Sequence, residues 1–83
     1  MARHELEVAK FYFARKAYVA AANRAAYVVE HIEGTPEVGK ALEIMVRSYR
    51  ALGAEQKAAE TYKILKINFP KRAVKFSVPF SRG

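Results

Sequence analysis

The chain repeats itself once. Displaced by 37 residues, Tyr12 falls on Tyr49, Ala14 on Ala51, Ala21 on Ala58 and Ala22 on Ala59, with Val8 on Met45 and Val28 on Leu65. A recurrence of this length is one supersecondary unit laid down twice, so the fold is restricted to architectures in which like units stack. Apolar residues inside each unit recur at three and four, the period of a helix. Leu6, Ala9 and Phe13 make one stripe with Val8 and Tyr12 beside it, and Ala21, Ala25, Val28 and Ile32 make the next. Composition points the same way: fifteen alanines, no aspartate, and eight acids that are all glutamate favour helix over turn and strand.

Punctuation is sparse. Gly34-Thr35-Pro36, Gly53 and Phe69-Pro70 cut the chain into helices expected at about 3–16, 18–33, 36–52 and 54–68. Thr35 is expected to cap the third, Pro36 suits its first position because it has no N–H to leave unbonded, and Glu37 complements the positive helix end. Connections this short make successive helices antiparallel neighbours. In the second unit Leu42, Met45, Val46, Tyr49, Gly53, Ala58, Tyr62, Leu65 and Pro70 fall at the spacings of the 34-residue tetratricopeptide (TPR) pattern. Val8, Ala9, Tyr12, Tyr18, Ala21, Ala25 and Val28 fit the first unit, whose following loop is longer by three or four residues. The expected fold is all-α: a TPR-like superhelix fragment with helix pairs at 2–34 and 35–70 and a basic, extended or disordered tail at 71–83. An ordinary four-helix bundle predicts no such offset.

Charge is unevenly placed. Of the net +7, residues 1–60 contribute nine basic against eight acidic side chains, while Lys63, Lys66, Lys71, Arg72, Lys75 and Arg82 follow with no acid among them. In the tail Val74, Phe76, Val78 and Phe80 alternate with Lys75, Ser77 and Pro79, a period of two that reads as extended backbone. Phe76 and Phe80 are candidates to dock on the apolar end of the second unit, or on a neighbouring chain, against the alternative of a disordered tail. Open apolar ends also make self-association an expectation.

Several chemistries fall away. Without cysteine there are no thiolate metal sites, disulfides or thiol nucleophiles. No apolar run approaches the ~18 residues of a membrane helix. The N-terminus reads straight into a helix rather than as a signal peptide, so Met1 reads as an introduced start and the chain as a piece of something longer. Gly34 to Ala41 imitates a phosphate loop, but Ala41 has no hydroxyl for magnesium and no aspartate exists for the second metal position, so a turn and helix start is the better reading. His4 and His31 do not make the paired spacing of a helical zinc site, and Ser48, Ser77 and Ser81 have no histidine in a nucleophile context. No catalytic constellation, cofactor site or small-molecule substrate is expected. Tail lysines interleaved with Phe69, Phe76 and Phe80 could pair with phosphates and stack on bases, but the first three helices are nearly charge-balanced and carry no nucleic-acid motif.

Two stretches go beyond a generic TPR. The run A-x-F-Y-x-x-R-x-A-Y-x-A-A-x-N-R, Ala9 to Arg24, and the aromatic-x-x-L-G end of the third helix, Tyr49 to Gly53, resemble the C-terminal repeats of the BamD (ComL-like) lipoproteins of the outer-membrane β-barrel assembly machinery. The resemblance covers about residues 2–70 and is most specific at Arg15, Tyr18, Asn23 and Arg24. It implies a non-enzymatic scaffold at the periplasmic face of the bacterial outer membrane that docks periplasmic domains of the barrel-forming subunit and small lipoprotein partners. It also implies Arg24, Asn23, Arg15 and Tyr18 as partner-binding residues, with Arg24 meeting a carboxylate, and membrane attachment through a lipidated cysteine that this chain does not contain. A generic TPR adaptor or a basic nucleic-acid-binding fragment is the alternative.

Overall fold

The structure, a computed structural model, describes residues 2–32 and 34–81 and, among them, the side chains of all but 2, 75 and 77–81. Five helices follow in order: α1 (Ala2–Ala14), α2 (Tyr18–His31), α3 (Pro36–Ala51), α4 (Glu55–Asn68) and α5 (Pro70–Ser81). Each packs on the next, and in addition α1 touches α3 and α3 touches α5. Among the described residues α1 has no contact with α4, which a closed four-helix bundle would require. The contacts run along a stack, as in a TPR-like superhelix.

Two apolar clusters hold the stack, and α3 serves both. Leu6, Ala9, Ala21, Ala25 and Val28 meet Ala41 and Ile44 in the first; Leu42 and Val46 meet Leu65, Ala73 and Phe76 in the second. Val29, Val38 and Met45 border both clusters and join them. Ala21, Ala22 and Ala25 of α2 are wholly or nearly wholly buried because only a methyl group fits where neighbouring helices close on it.

The two pairs turn alike. After α1, the Ala17 N–H donates to the Tyr12 carbonyl and the Lys16 N–H to that of Phe13; after α3, Ala54 donates to Tyr49 and Gly53 to Arg50. Both are Schellman closures, which need a left-handed residue just past the helix. Gly53 supplies it at φ 76° and Lys16 at φ 66°. The first helix therefore stops at Ala14, not at Lys16 as the periodicity suggested, because the closing residue is a lysine and carries no sequence mark of a turn.

Two further expectations differ from the structure. Thr35 stands at the N-cap position of α3 in extended backbone, but its side chain makes no capping bond and its hydroxyl oxygen is buried without a partner. The tail through Ser81 is helical, not extended. Pro70 opens α5 with the fixed φ a first helical residue needs, as Pro36 opens α3, and the two prolines stand 34 residues apart. What wins over the alternation is a stripe at helical spacing, Phe69, Ala73 and Phe76, which packs on Leu42, Val46 and Leu65, whereas a lone strand has no pairing partner. Thus α5 lies where the first helix of a third unit would lie.

Gly39 explains how closely α5 approaches. A Cβ there would come within 2.9 Å of the Phe69 ring and of Arg72 Cδ, so the glycine of the phosphate-loop imitation sits inside α3 as a packing residue.

Candidate functional site

Three of the sequence-derived candidates, Tyr18, Asn23 and Arg24, stand on α2. Its buried side is Ala21, Ala22, Ala25 and Val28. The side turned away from the core carries Ala20, Asn23, Arg24 and Tyr27, which recur at three and four and so form a second stripe. With Tyr12 of α1 these residues line a cleft of about 300 Å³. Arg24 Nη1 lies 3.6 Å from Oε1 of Glu5 on α1, with the Arg24 side chain 50% exposed and that of Glu5 24%. Held from one side by Glu5, the guanidinium keeps N–H groups directed at solvent, and its planar fork matches a carboxylate.

A second hollow of about 540 Å³ adjoins the first. Lys16, Ala17, Tyr18, Val19, Ala20, Asn23 and Leu52 line it, so Ala20 and Asn23 belong to both. Tyr18 packs edge-on against Phe13 with ring centres 5.4 Å apart, which fixes its ring at the rim. Val19 and Leu52 are exposed there, and Lys16 is held in place by the turn that closes α1. The surface thus combines two exposed cations, Arg24 and Lys16, one amide able to donate and accept, tyrosines, and an exposed aliphatic pair. Such a surface has the chemistry to take a carboxylate beside an apolar side chain; no nucleophile paired with a base stands on it.

Of the four candidates, Asn23, Arg24 and Tyr18 come together and Arg15 does not. Arg15 lies over the Phe11 ring, 4.9 Å from its centre, and lines neither hollow. Tyr12, Tyr27, Glu5, Lys16 and Leu52 were not among the site candidates read from sequence. The stripe at 20, 23, 24 and 27 was readable from helical spacing; Glu5 on α1 and Leu52 just past α3 are brought to α2 by packing, which no local spacing marks.

The tail candidates part in a similar way. Phe76 is buried, 4% exposed, with Arg47 and Arg50 over its ring at 5.1 and 5.4 Å and Tyr62 edge-on at 6.5 Å. The Phe80 side chain lies outside the described residues. Arg72 anchors the same end through a 2.6 Å hydrogen bond from Nη1 to Glu43 Oε2. His31 is exposed beside the Tyr27 ring, and among the described residues no group of three histidine or acidic side chains is placed to hold a metal ion.

Comparison with known proteins follows the same residues. The family described as outer membrane lipoprotein (YfiO) matches residues 1–65, which takes in α1 to α3, most of α4 and the whole of the cleft. An outer membrane protein assembly factor BamD from Neisseria meningitidis serogroup A is 43% identical over 68 residues, 82% of this chain and 26% of that protein. The Haemophilus influenzae BamD is 41% identical over 71 residues, 86% and 27% of the two chains, and the Vibrio cholerae BamD 31% identical over 68 residues, 82% and 28%. The chain therefore spans about a quarter of the length of these curated relatives. No solved structure gives a significant match.

Proposed function

This chain belongs to the YfiO family of outer membrane lipoproteins, and from that premise we propose that it is a non-catalytic docking scaffold for outer-membrane protein assembly. It acts at the periplasmic face of the outer membrane, binding periplasmic domains of a barrel-forming assembly subunit and small assembly lipoproteins. Its relatives are named as assembly factors, and the matched region contains the α1–α2 cleft.

One observation carries the reading to residues: Arg24 stands half-exposed in a cleft that runs, through Ala20 and Asn23, into an apolar hollow. Arg24 receives a partner carboxylate, Asn23 bonds the adjoining backbone, and Tyr18 with Val19 and Leu52 seats an apolar side chain. Arg15 supports the α1 end of this surface through Phe11 rather than lining it. An exposed arginine pair contributes ~0.2 to 1 kcal/mol, whereas a charge pair desolvated at an interface can couple by ~1.5 kcal/mol or more.

The test is titration of the chain with the isolated periplasmic domains of a barrel-assembly subunit. Arg24→Glu lowers affinity at least about tenfold, the equivalent of 1.4 kcal/mol, with helicity unchanged by circular dichroism. Unaltered affinity removes Arg24 from the site. The basic segment after Thr61 supports a second reading, a polyanion-binding module, whose affinity would fall steeply with salt and ignore Arg24→Glu.

A further inference from the structure

We propose that the outer edge of α4, continued into the start of α5, is a peripheral membrane-binding surface that takes anionic lipid headgroups. The inner side of α4 is Ala58, Thr61 and Leu65. Away from it Lys63, Lys66 and Ile67 are exposed, Ile67 at 71%, the highest among the exposed large hydrophobic side chains described, and Ile64, 46% exposed, stands at the rim of a hollow that it lines with Ile32, Val38 and Phe69. Helical spacing sets Lys63, Ile64 and Ile67 on one face with Lys66 at its edge. Across the Phe69 turn come exposed Lys71 and, one helical turn on, exposed Val74. The repeat does not require apolar residues here, because the positions equivalent to Ile64 and Ile67 in the first unit are Tyr27 and Glu30.

Charge completes the surface. Glu60, one turn before Ile64, is the last acid in the sequence. Of the six basic residues beyond it, Arg72 pairs with Glu43, which lies on α3. Lysines beside isoleucines suit a headgroup layer in both respects: the ammonium groups lie among phosphates while the aliphatic chains reach the acyl boundary. A nucleic-acid surface would present aromatic rings between its cations for bases to stack on, and the exposed side chains here are aliphatic. Among the described residues no helix is long and apolar enough to cross a membrane, so the contact is peripheral. It is separate from the α1–α2 cleft and from the lipid anchor implied by the family resemblance, and Lys66, Ile67, Lys71 and Val74 lie beyond the family match.

The full chain is mixed with vesicles of phosphatidylglycerol and phosphatidylcholine in equal parts, or of phosphatidylcholine alone, and bound protein is read by co-sedimentation at two salt concentrations. Binding is expected only to the anionic vesicles and weakens with salt. A lysine near an anionic surface is worth roughly fivefold in affinity, so Lys63→Glu combined with Lys66→Glu lowers it at least about tenfold. Ile64→Ser with Ile67→Ser lowers it by a similar factor, because burial of two isoleucines is lost. No binding at low salt overturns the proposal, and so does full retention by either double variant; heparin binding equally insensitive to the serine pair would then identify a polyanion site. Arg24→Glu leaves vesicle binding unchanged, and loss of binding in that variant would overturn the placement on α4. Circular dichroism of each variant separates lost binding from lost folding.

Discussion

α2 and α4 are the same element of the repeat in two settings. Ala21 and Ala58 are buried alike, and so are Val28 and Leu65, because these positions face the first helix of their own pair. Ala22 is buried while its counterpart Ala59 is exposed. The difference comes from neighbours: α2 is wedged between α1 and α3, whereas α4 has α3 on one side and is met on the other by the shorter α5. Exposed Asn23 is answered by exposed Glu60, but exposed Arg24 by buried Thr61. The repeat register thus fixes the positions that face the partner helix, 21 and 28 with 58 and 65, and leaves the rest of each second helix to be specified unit by unit. In the first unit the outer side is a polar cleft; in the second it is a lysine–isoleucine edge.

The sharpest way to break the comparison is to remove the cap of the second unit. Phe76→Ala empties a buried position of the second cluster and is expected to destabilise the fold by about 3 to 5 kcal/mol in urea unfolding. The equivalent loss on truncation after Pro70 should appear as a lower melting temperature and as self-association in sedimentation, through the apolar surface of Leu42, Val46 and Leu65. A monomer with unchanged melting temperature after either change would mean that α5 does not stand in for a third unit.

Next in size is the contrast between two ion pairs. Arg72→Met leaves the Glu43 carboxylate without its 2.6 Å partner in a place where it is nearly buried, and should lower stability by roughly 1 to 3 kcal/mol. Arg24→Met breaks the more exposed 3.6 Å contact to Glu5 and should change stability by less than about 1 kcal/mol. Equal effects of the two variants on urea midpoint would show that burial does not separate them.

The smallest effects lie in the turns. Lys16 holds a left-handed conformation that glycine adopts freely at the matching position Gly53. Lys16→Gly should therefore raise stability by up to about 1 kcal/mol, and Gly53→Lys should lower it by about as much. Thermal unfolding of the two variants in parallel checks both signs, and a destabilised Lys16→Gly would point to a role for the lysine side chain that outweighs the turn.

Much of the fold was legible because its signals are local. Stripes at three and four, the proline at the start of α3 and the glycine after it place the helices to within a few residues, and the 37-residue offset identifies a stack. The candidate site was legible in part, since Asn23 and Arg24 share a stripe with Ala20 and Tyr27, but Glu5 reaches Arg24 from α1 and Leu52 reaches the hollow from the end of α3. The misreading of 71–81 has a specific cause. Valine and phenylalanine at alternate positions satisfy a strand pattern, yet Phe69, Ala73 and Phe76 also satisfy a helix pattern, and both are present in the same short run. Local preference does not choose between them. The choice is made by α3, where Gly39 leaves room for Phe69 and Arg72 and where Glu43, 29 residues away in the chain, receives the arginine. Helical periodicity and the repeat belong to the sequence by itself, because backbone hydrogen bonds close within four residues. The helical state of α5, the burial of Ser48 and Glu43, and the company that Arg24 keeps were decided only when distant helices met, because burial depends on neighbours that no local window contains.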